Sequence, residues 1–125
     1  AEHTVSVLRR EQLLKSVPTL LENAPRTKSG VRVVAETVAA DRPLLRDLAT
    51  AIIRQDDAVA LLAAPQGESN IFVFARAQDV GEDMGALLTA CARECGGKGG
   101  GKPDFAQGGG PIAVLEAACV RLLGQ

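Results

Sequence analysis

Residues 58–75 read AVALLAAPQGESNIFVFA, and this stretch decides the fold class. Residues 58–64 are apolar and carry no charge, which is typical of a strand covered on both faces of a sheet. Residues 65–70 supply the Pro, Gly, Ser and Asn that turns favour, and residues 71–75 are again apolar and rich in β-branched and aromatic side chains. The pattern predicts that the two apolar runs pair as an antiparallel hairpin.

Helices and one more strand flank this hairpin. Before it, the valine-rich residues 31–38 predict a strand, and Asp41 is placed to cap a helix with Pro43 in its first turn. After it, an apolar stripe predicts a helix over residues 83–95, which Gly96 can end in the left-handed conformation. A last helix is predicted from Pro111 to about Leu123. The fold class is therefore α/β, a compact mixed β-sheet flanked by helices.

The N-terminal part of the chain has a different pattern. Apolar residues recur at three- and four-residue steps through residues 2–24, the period of one helix face. Pro18 interrupts the run and predicts two helices, with Ser16 as the cap of the second. The sequence thus predicts a helical lead over residues 1–29 and a globular α/β domain over residues 30–125.

Composition limits what the domain can bind. The 125 residues include 14 basic and 15 acidic side chains, for a net charge of −1, so the basic excess of dedicated nucleic-acid binders is absent. Any RNA contact must come from a local patch. No apolar run approaches a membrane span and no export signal is present, so we expect no membrane partner. Three cysteines in such a chain predict reduced thiols and a cytoplasmic location.

The segment after the predicted 83–95 helix is the most unusual part of the sequence. Residues 96–111 read GGKGGGKPDFAQGGGP and hold eight of the thirteen glycines. A flexible linker is one interpretation, but Phe105 between the glycine runs favours an ordered loop. The spacing from Gly96 to Gly101 and Lys102 imitates a phosphate-binding P-loop. We reject that interpretation because a helix precedes the segment and Pro103 occupies the position of the essential hydroxyl.

A weaker anion site remains possible in this segment. Residues 108–110 lead into the predicted helix at Pro111, whose free N–H groups carry partial positive charge. One or two RNA phosphates can be held by such a loop, although the lysines can equally well be solvated. The side chains that can contribute are Lys98, Lys102, Asp104 and Gln107.

The glycine-rich segment, between an amphipathic helix and a short final one, resembles the C-terminal motif of alanyl-tRNA synthetases. It is similar also to a domain of stand-alone alanyl-tRNA editing proteins and, more distantly, of DHH-family phosphoesterases. The resemblance covers about residues 83–123, and the Lys-Pro-Asp-Phe-Ala-Gln insert is its specific part. The phosphoesterase branch typically has a His in this motif, where the present sequence has Lys98 and Lys102. This difference favours the synthetase or editing branch.

The resemblance implies a mixed α/β accessory unit that docks on the outer corner of tRNA and helps subunits pair. A helical stalk, which residues 2–24 resemble, would join it to the catalytic and editing domains of the same chain. The implied partners are tRNA, in particular tRNA(Ala), and a second copy. The residues that we expect to contact RNA are Lys98, Lys102, Gly97, Gly99, Gly100, Gly101, Asp104, Gln107 and Arg93, with Arg76 as a further candidate.

Nothing in the sequence predicts catalysis, a metal ion or a cofactor. The single histidine, His3, cannot build an editing-site zinc centre, and no Asp-His-His motif supports a phosphoesterase. Cys91 and Cys95 lie one helical turn apart, but both belong to an apolar stripe and are predicted to be buried thiols. Two functions stay open: a tRNA-binding module, and a self-association module that pairs through apolar surface on the N-terminal helices.

Overall fold

A five-stranded mixed sheet forms the middle layer of the computed structural model, which describes residues 10–55 and 57–123. The strands are β1 (Arg32–Thr37), β2 (Ala58–Gln66), β3 (Ser69–Arg76), β4 (Lys98–Gly101) and β5 (Phe105–Gly110). Their order is β1-β2-β3-β5-β4. The β1–β2 pair is parallel, and the other three pairs are antiparallel. This architecture confirms the predicted α/β class.

Helices cover both faces of the sheet. They are α1 (Val17–Asn23), α2 (Arg42–Ile53), α3 (Met84–Cys95) and α4 (Ala113–Leu123), and residues 10–15 are also helical. Apolar residues of α1 and α2 share one core with one face of the sheet. Residues of α3 and α4 share a second core with the opposite face.

The β2–β3 hairpin confirms the prediction for the central stretch. Residues 58–64 are all buried, and alternate side chains enter different cores: Val59 and Leu61 lie on the α3 side, Ala60 and Leu62 on the α2 side. This strand is apolar throughout because neither of its faces meets water.

Capping residues in the sequence predicted most helix ends correctly. Asp41 accepts a hydrogen bond from Leu44 N–H at 3.0 Å, and Gly96 ends α3 with φ +81°. Ser16 is different: its backbone is helical, and its hydroxyl donates to Leu13 O instead of capping α1. The Ser16 prediction was wrong because an N-cap needs an extended backbone. The last helix begins at Ala113, two residues after the predicted start.

The largest difference concerns the glycine-rich segment. It was predicted as an ordered loop, but it forms two paired strands, β4 and β5, and β5 also pairs with β3. No helix of the described residues is long and apolar enough to cross a membrane. The predictions for His3 and for residues 2–9 lie outside the described part of the chain.

Candidate nucleic-acid interface

The β4–β5 hairpin, residues 98–110, is called the glycine hairpin below. Its tip is closed by two hydrogen bonds between Lys102 and Phe105, with N···O distances of 2.9 and 3.3 Å. Pro103 O at the tip accepts from Met84 N–H at 2.8 Å and from Arg76 Nε at 3.1 Å. Neighbouring elements therefore hold the tip in a fixed position, and the guanidinium of Arg76 serves this purpose.

One side of the glycine hairpin lies so close to α3 that side chains cannot fit. A Cβ on Gly99 would lie 2.7 Å from Cγ of Leu88 on α3. Gly108 is tight for a different reason, since its Cβ would lie 2.7 Å from Cα of Gly99 on the paired strand β4. On the helix, Gly85 meets the carbonyl of Gly101 in the same way. These glycines are needed because backbones approach each other closely, which only glycine permits.

The opposite side, called the open face below, is not covered by a helix of the described residues. Because side chains alternate along a strand, Lys98, Phe105 and Gln107 lie on the side away from Ala106, which enters the α3-side core. Helix α2 packs on β2 and β3, and Phe105 of the glycine hairpin packs against the same core. The edge of the sheet beside α2 therefore carries the exposed Lys98 and the partly buried Phe105 and Gln107.

A groove runs between α2 and the tip of the glycine hairpin, and is called the α2–hairpin groove below. It consists of two depressions of about 390 and 440 Å³, which share Arg46 and Phe105. The α2 side is lined by Pro43, Arg46, Asp47 and Thr50. The hairpin side is lined by Gly100, Gly101, Lys102, Asp104, Phe105 and Gln107.

The groove joins several predicted site residues to one that sequence reasoning missed. Lys102, Asp104 and Gln107 line it together, with Gly100 and Gly101 beneath them. Arg46 was not predicted, since nothing in the sequence brings the exposed face of α2 to the glycine hairpin. Phe105 indicated order at the sequence level but was not named as a contact residue.

Other predicted residues lie outside the groove. Lys98 is exposed at the start of β4 and lines neither depression. Arg93 is exposed in the last turn of α3 and lines neither depression. A Cβ on Gly97 would lie 2.8 Å from the backbone oxygen of Gly109, so packing accounts for that glycine.

Charge around the groove favours an anion. Among the described residues, the side chains of Arg46, Lys98 and Lys102 have no carboxylate partner. The nearby carboxylate of Asp47 is paired with Arg10. Asp104 is the remaining acidic side chain in the lining. A local cationic patch therefore exists on a chain whose net charge is −1.

The cysteines lie in the seam between α3 and α4. Cys91 is buried, as predicted. Cys95 was also predicted to be buried but is only partly buried, because it lies at the end of α3, and Cys119 is partly buried as well. Burial raises the pKa of the Cys91 thiol and of the Cys119 thiol, which keeps both protonated near neutral pH. Within residues 10–55 and 57–123, no group of three His, Cys, Asp or Glu side chains is arranged to hold a metal ion.

Known sequences match most of the chain. The sequence model of the DHHA1 domain matches residues 30–123. The alanine–tRNA ligase of Saccharopolyspora erythraea is 39% identical over 127 residues, which cover 94% of this chain and 14% of that protein. The enzyme of Haloquadratum walsbyi is 46% identical over 90 residues, covering 71% of this chain and 10% of that protein. The chain thus spans a small fraction of the length of these relatives.

Solved structures share the fold. The C-Ala domain from Aquifex aeolicus alanyl-tRNA synthetase superposes with a TM-score of 0.69 at 22% identity, covering 81% of this chain and 96% of that one. The DHH domain of a member of a family of ribosomal proteins gives a TM-score of 0.59 at 18% identity, covering 91% of this chain and 30% of that one. Together with the sequence matches, these similarities confirm the resemblance carried by residues 83–123.

Proposed function

Because this chain belongs to the DHHA1 domain family, we propose that it is the tRNA-contacting accessory domain of an alanyl-tRNA synthetase family protein. In this role it supports the aminoacylation or the editing of tRNA(Ala) in the cytoplasm. The catalytic and editing domains belong to other parts of the same protein. The relatives named alanine–tRNA ligase support this proposal.

The observation that carries the proposal is the ordered glycine hairpin with its open face. Gly100 and Gly101 line the groove without side chains, so a phosphodiester chain can approach the backbone of β4 closely there. Lys98 and Lys102 stand at the two ends of β4, and Arg46 approaches from α2. Such a patch can bind RNA locally even though the whole chain has no basic excess.

A titration of tRNA(Ala) against the protein over a salt series tests the proposal. The variant Lys98→Ala/Lys102→Ala removes two positive charges beside the open face. We expect weaker binding and a salt slope reduced by roughly 1.4–1.8, because each phosphate contact contributes about 0.7–0.9 to the slope.

The matched control is Lys15→Ala/Lys28→Ala. It removes the same charge from two exposed lysines on the N-terminal helix and in the turn before β1, at the opposite edge of the sheet from β4. We expect the control to bind like the wild type. No binding of tRNA by folded wild-type protein at low salt would refute the proposal, and equal losses in both variants would refute the placement at the glycine hairpin.

Self-association is the second candidate function. It is favoured by Leu13, Leu14 and Leu20, which stay only partly buried on the N-terminal helices. Pairing of two copies would bury this apolar surface. Analytical ultracentrifugation over a concentration series tests this function, and the variant Leu13→Gln/Leu20→Gln should shift the protein towards the monomer. A wild type that stays monomeric throughout would refute it.

A further inference from the structure

We infer that the α2–hairpin groove binds one unpaired nucleotide, whose phosphate lies between Arg46 and Lys102 and whose base stacks on Phe105. The inference rests on the proposed RNA-binding function and specifies which part of an RNA the groove accepts. It assigns a binding role to Arg46 and Phe105, which come from different parts of the chain and meet only in the fold.

The size of the groove suits a single nucleotide. Its two depressions, of about 390 and 440 Å³, are within the range of pockets that hold small molecules. Gly100 and Gly101 form part of its wall without side chains, so a sugar–phosphate unit can lie against the backbone of β4.

The positive charges of Arg46 and Lys102 favour a phosphate as the ligand of the groove. Arg46 and Lys102 line the same depression, and neither has a carboxylate partner among the described residues. A guanidinium opposite an ammonium can bind two oxygens of one phosphate. Asp47 does not compete, because it is paired with Arg10. The carboxylate of Asp104, on the hairpin side, can accept a hydrogen bond from a ribose hydroxyl or a base amino group.

Phe105 provides the surface for the base. It packs against the α2-side core, yet it remains only partly buried and lines both depressions. A partly exposed aromatic ring that lines a groove can stack on any base. A base within a duplex already stacks on its neighbours, so this ring favours loops, bulges and single strands.

Affinity measurements with two RNAs test the inference: a single-stranded oligoribonucleotide, and the same strand annealed to its complement. Phe105→Leu and Arg46→Gln should each weaken binding of the single strand by about tenfold, because one stacked base or one phosphate contact is lost. Binding of the duplex should change little. Arg42→Gln is the matched control, since Arg42 is exposed one turn earlier on α2 and lines neither depression.

Phe105→Trp gives a second and direct measurement. The chain has no tryptophan, so this variant carries a single fluorophore in the groove. Stacking should quench its emission when the single strand is added and leave it nearly unchanged with the duplex. In both variants of Phe105, the new leucine or tryptophan side chain keeps an apolar contact with the core. Circular dichroism checks that both variants fold.

The outcomes separate the inference from the proposed function. If wild-type protein binds neither tRNA(Ala) nor either oligonucleotide, both fail. If it binds RNA with a salt dependence, but Phe105→Leu and Arg46→Gln behave like Arg42→Gln, the nucleotide site is refuted and the RNA-binding function stands. Unchanged tryptophan emission on saturation with the single strand would also refute the site.

Discussion

The β2–β3 hairpin and the glycine hairpin lie side by side in one sheet, joined by the pairing of β3 with β5. In the first, side chains fill both faces, and Phe72 and Phe74 pack edge to face with ring centroids 6.2 Å apart. In the second, side chains are missing on the side that faces α3, where helix and strand backbones nearly touch. The β2–β3 hairpin is stabilised by the apolar side chains that it buries, whereas the glycine hairpin packs closely on its neighbours because it lacks side chains there.

This difference shows how one small sheet can provide both stability and an accessible surface. The β2–β3 hairpin contributes side chains to both cores, so its burial supplies much of the hydrophobic stabilisation. The glycine hairpin contributes little apolar surface, and its conformation is fixed by α3, Arg76 and the pairing with β3. Its open face is thereby free to contact a ligand without weakening the cores.

The largest expected effect is on the free energy of unfolding when a phenylalanine in each hairpin is replaced by alanine. Phe74→Ala should lower the free energy of unfolding by about 3–5 kcal/mol, because Phe74 is fully buried and a cavity remains. Phe105→Ala should lower it by only about 1–2 kcal/mol, since Phe105 is partly buried on one side. Urea denaturation measures both values. Equal losses would contradict the view that the β2–β3 hairpin dominates stability.

A smaller effect should follow from adding one methyl group to the glycine hairpin. Gly108→Ala should destabilise the domain by about 1–3 kcal/mol, because its Cβ would meet the backbone of β4. Gly100→Ala is the control: its Cβ would meet only the Thr89 hydroxyl at 3.4 Å, an ordinary contact. Its unfolding free energy should stay within about 1 kcal/mol of the wild type. If Gly100→Ala lowers the free energy of unfolding as much as Gly108→Ala does, close packing does not explain why these positions are glycines.

Local signals made much of the fold predictable. The apolar run of β2, the Asp41 cap and the Gly96 terminus each follow from a few neighbouring residues, and each is confirmed. The strands of the glycine hairpin could not be predicted in this way. Glycine has low intrinsic β propensity, so β4 and β5 exist because β3 supplies a pairing partner and α3 supplies a wall.

The candidate site was predictable only where its residues are neighbours in sequence. Lys102, Asp104 and Gln107 come from one short segment, and they line one groove as a group. Arg46 joins them because α2 crosses the sheet next to β5, a relation that depends on strand order. Strand order places β5 between β3 and β4, and no pattern within the glycine segment encodes it.

The smallest expected effect concerns the open end of the β2–β3 hairpin. Asp57, just before β2, has φ +61°, and its N–H donates to the carboxylate of Asp79 at 3.1 and 3.2 Å. This backbone hydrogen bond lowers the pKa of Asp79. A carboxyl with a lowered folded-state pKa stabilises the fold above its unfolded-state pKa of about 3.9, and this stabilisation disappears as the pH falls through the folded-state value.

Asp79→Asn keeps an oxygen acceptor but removes the charge. Its melting temperature should therefore lie slightly below that of the wild type near pH 7, and the difference should shrink steadily below about pH 4. Thermal denaturation at a series of pH values measures it, and no comparable change is expected at the tip of the glycine hairpin, which is closed by backbone groups. A difference that stays constant down to about pH 2 would mean that the charge of Asp79 does not hold this turn. The hydrogen bond from Asp57 to Asp79 would then behave like the neutral backbone hydrogen bonds between Lys102 and Phe105. The two hairpins would differ only in their side chains.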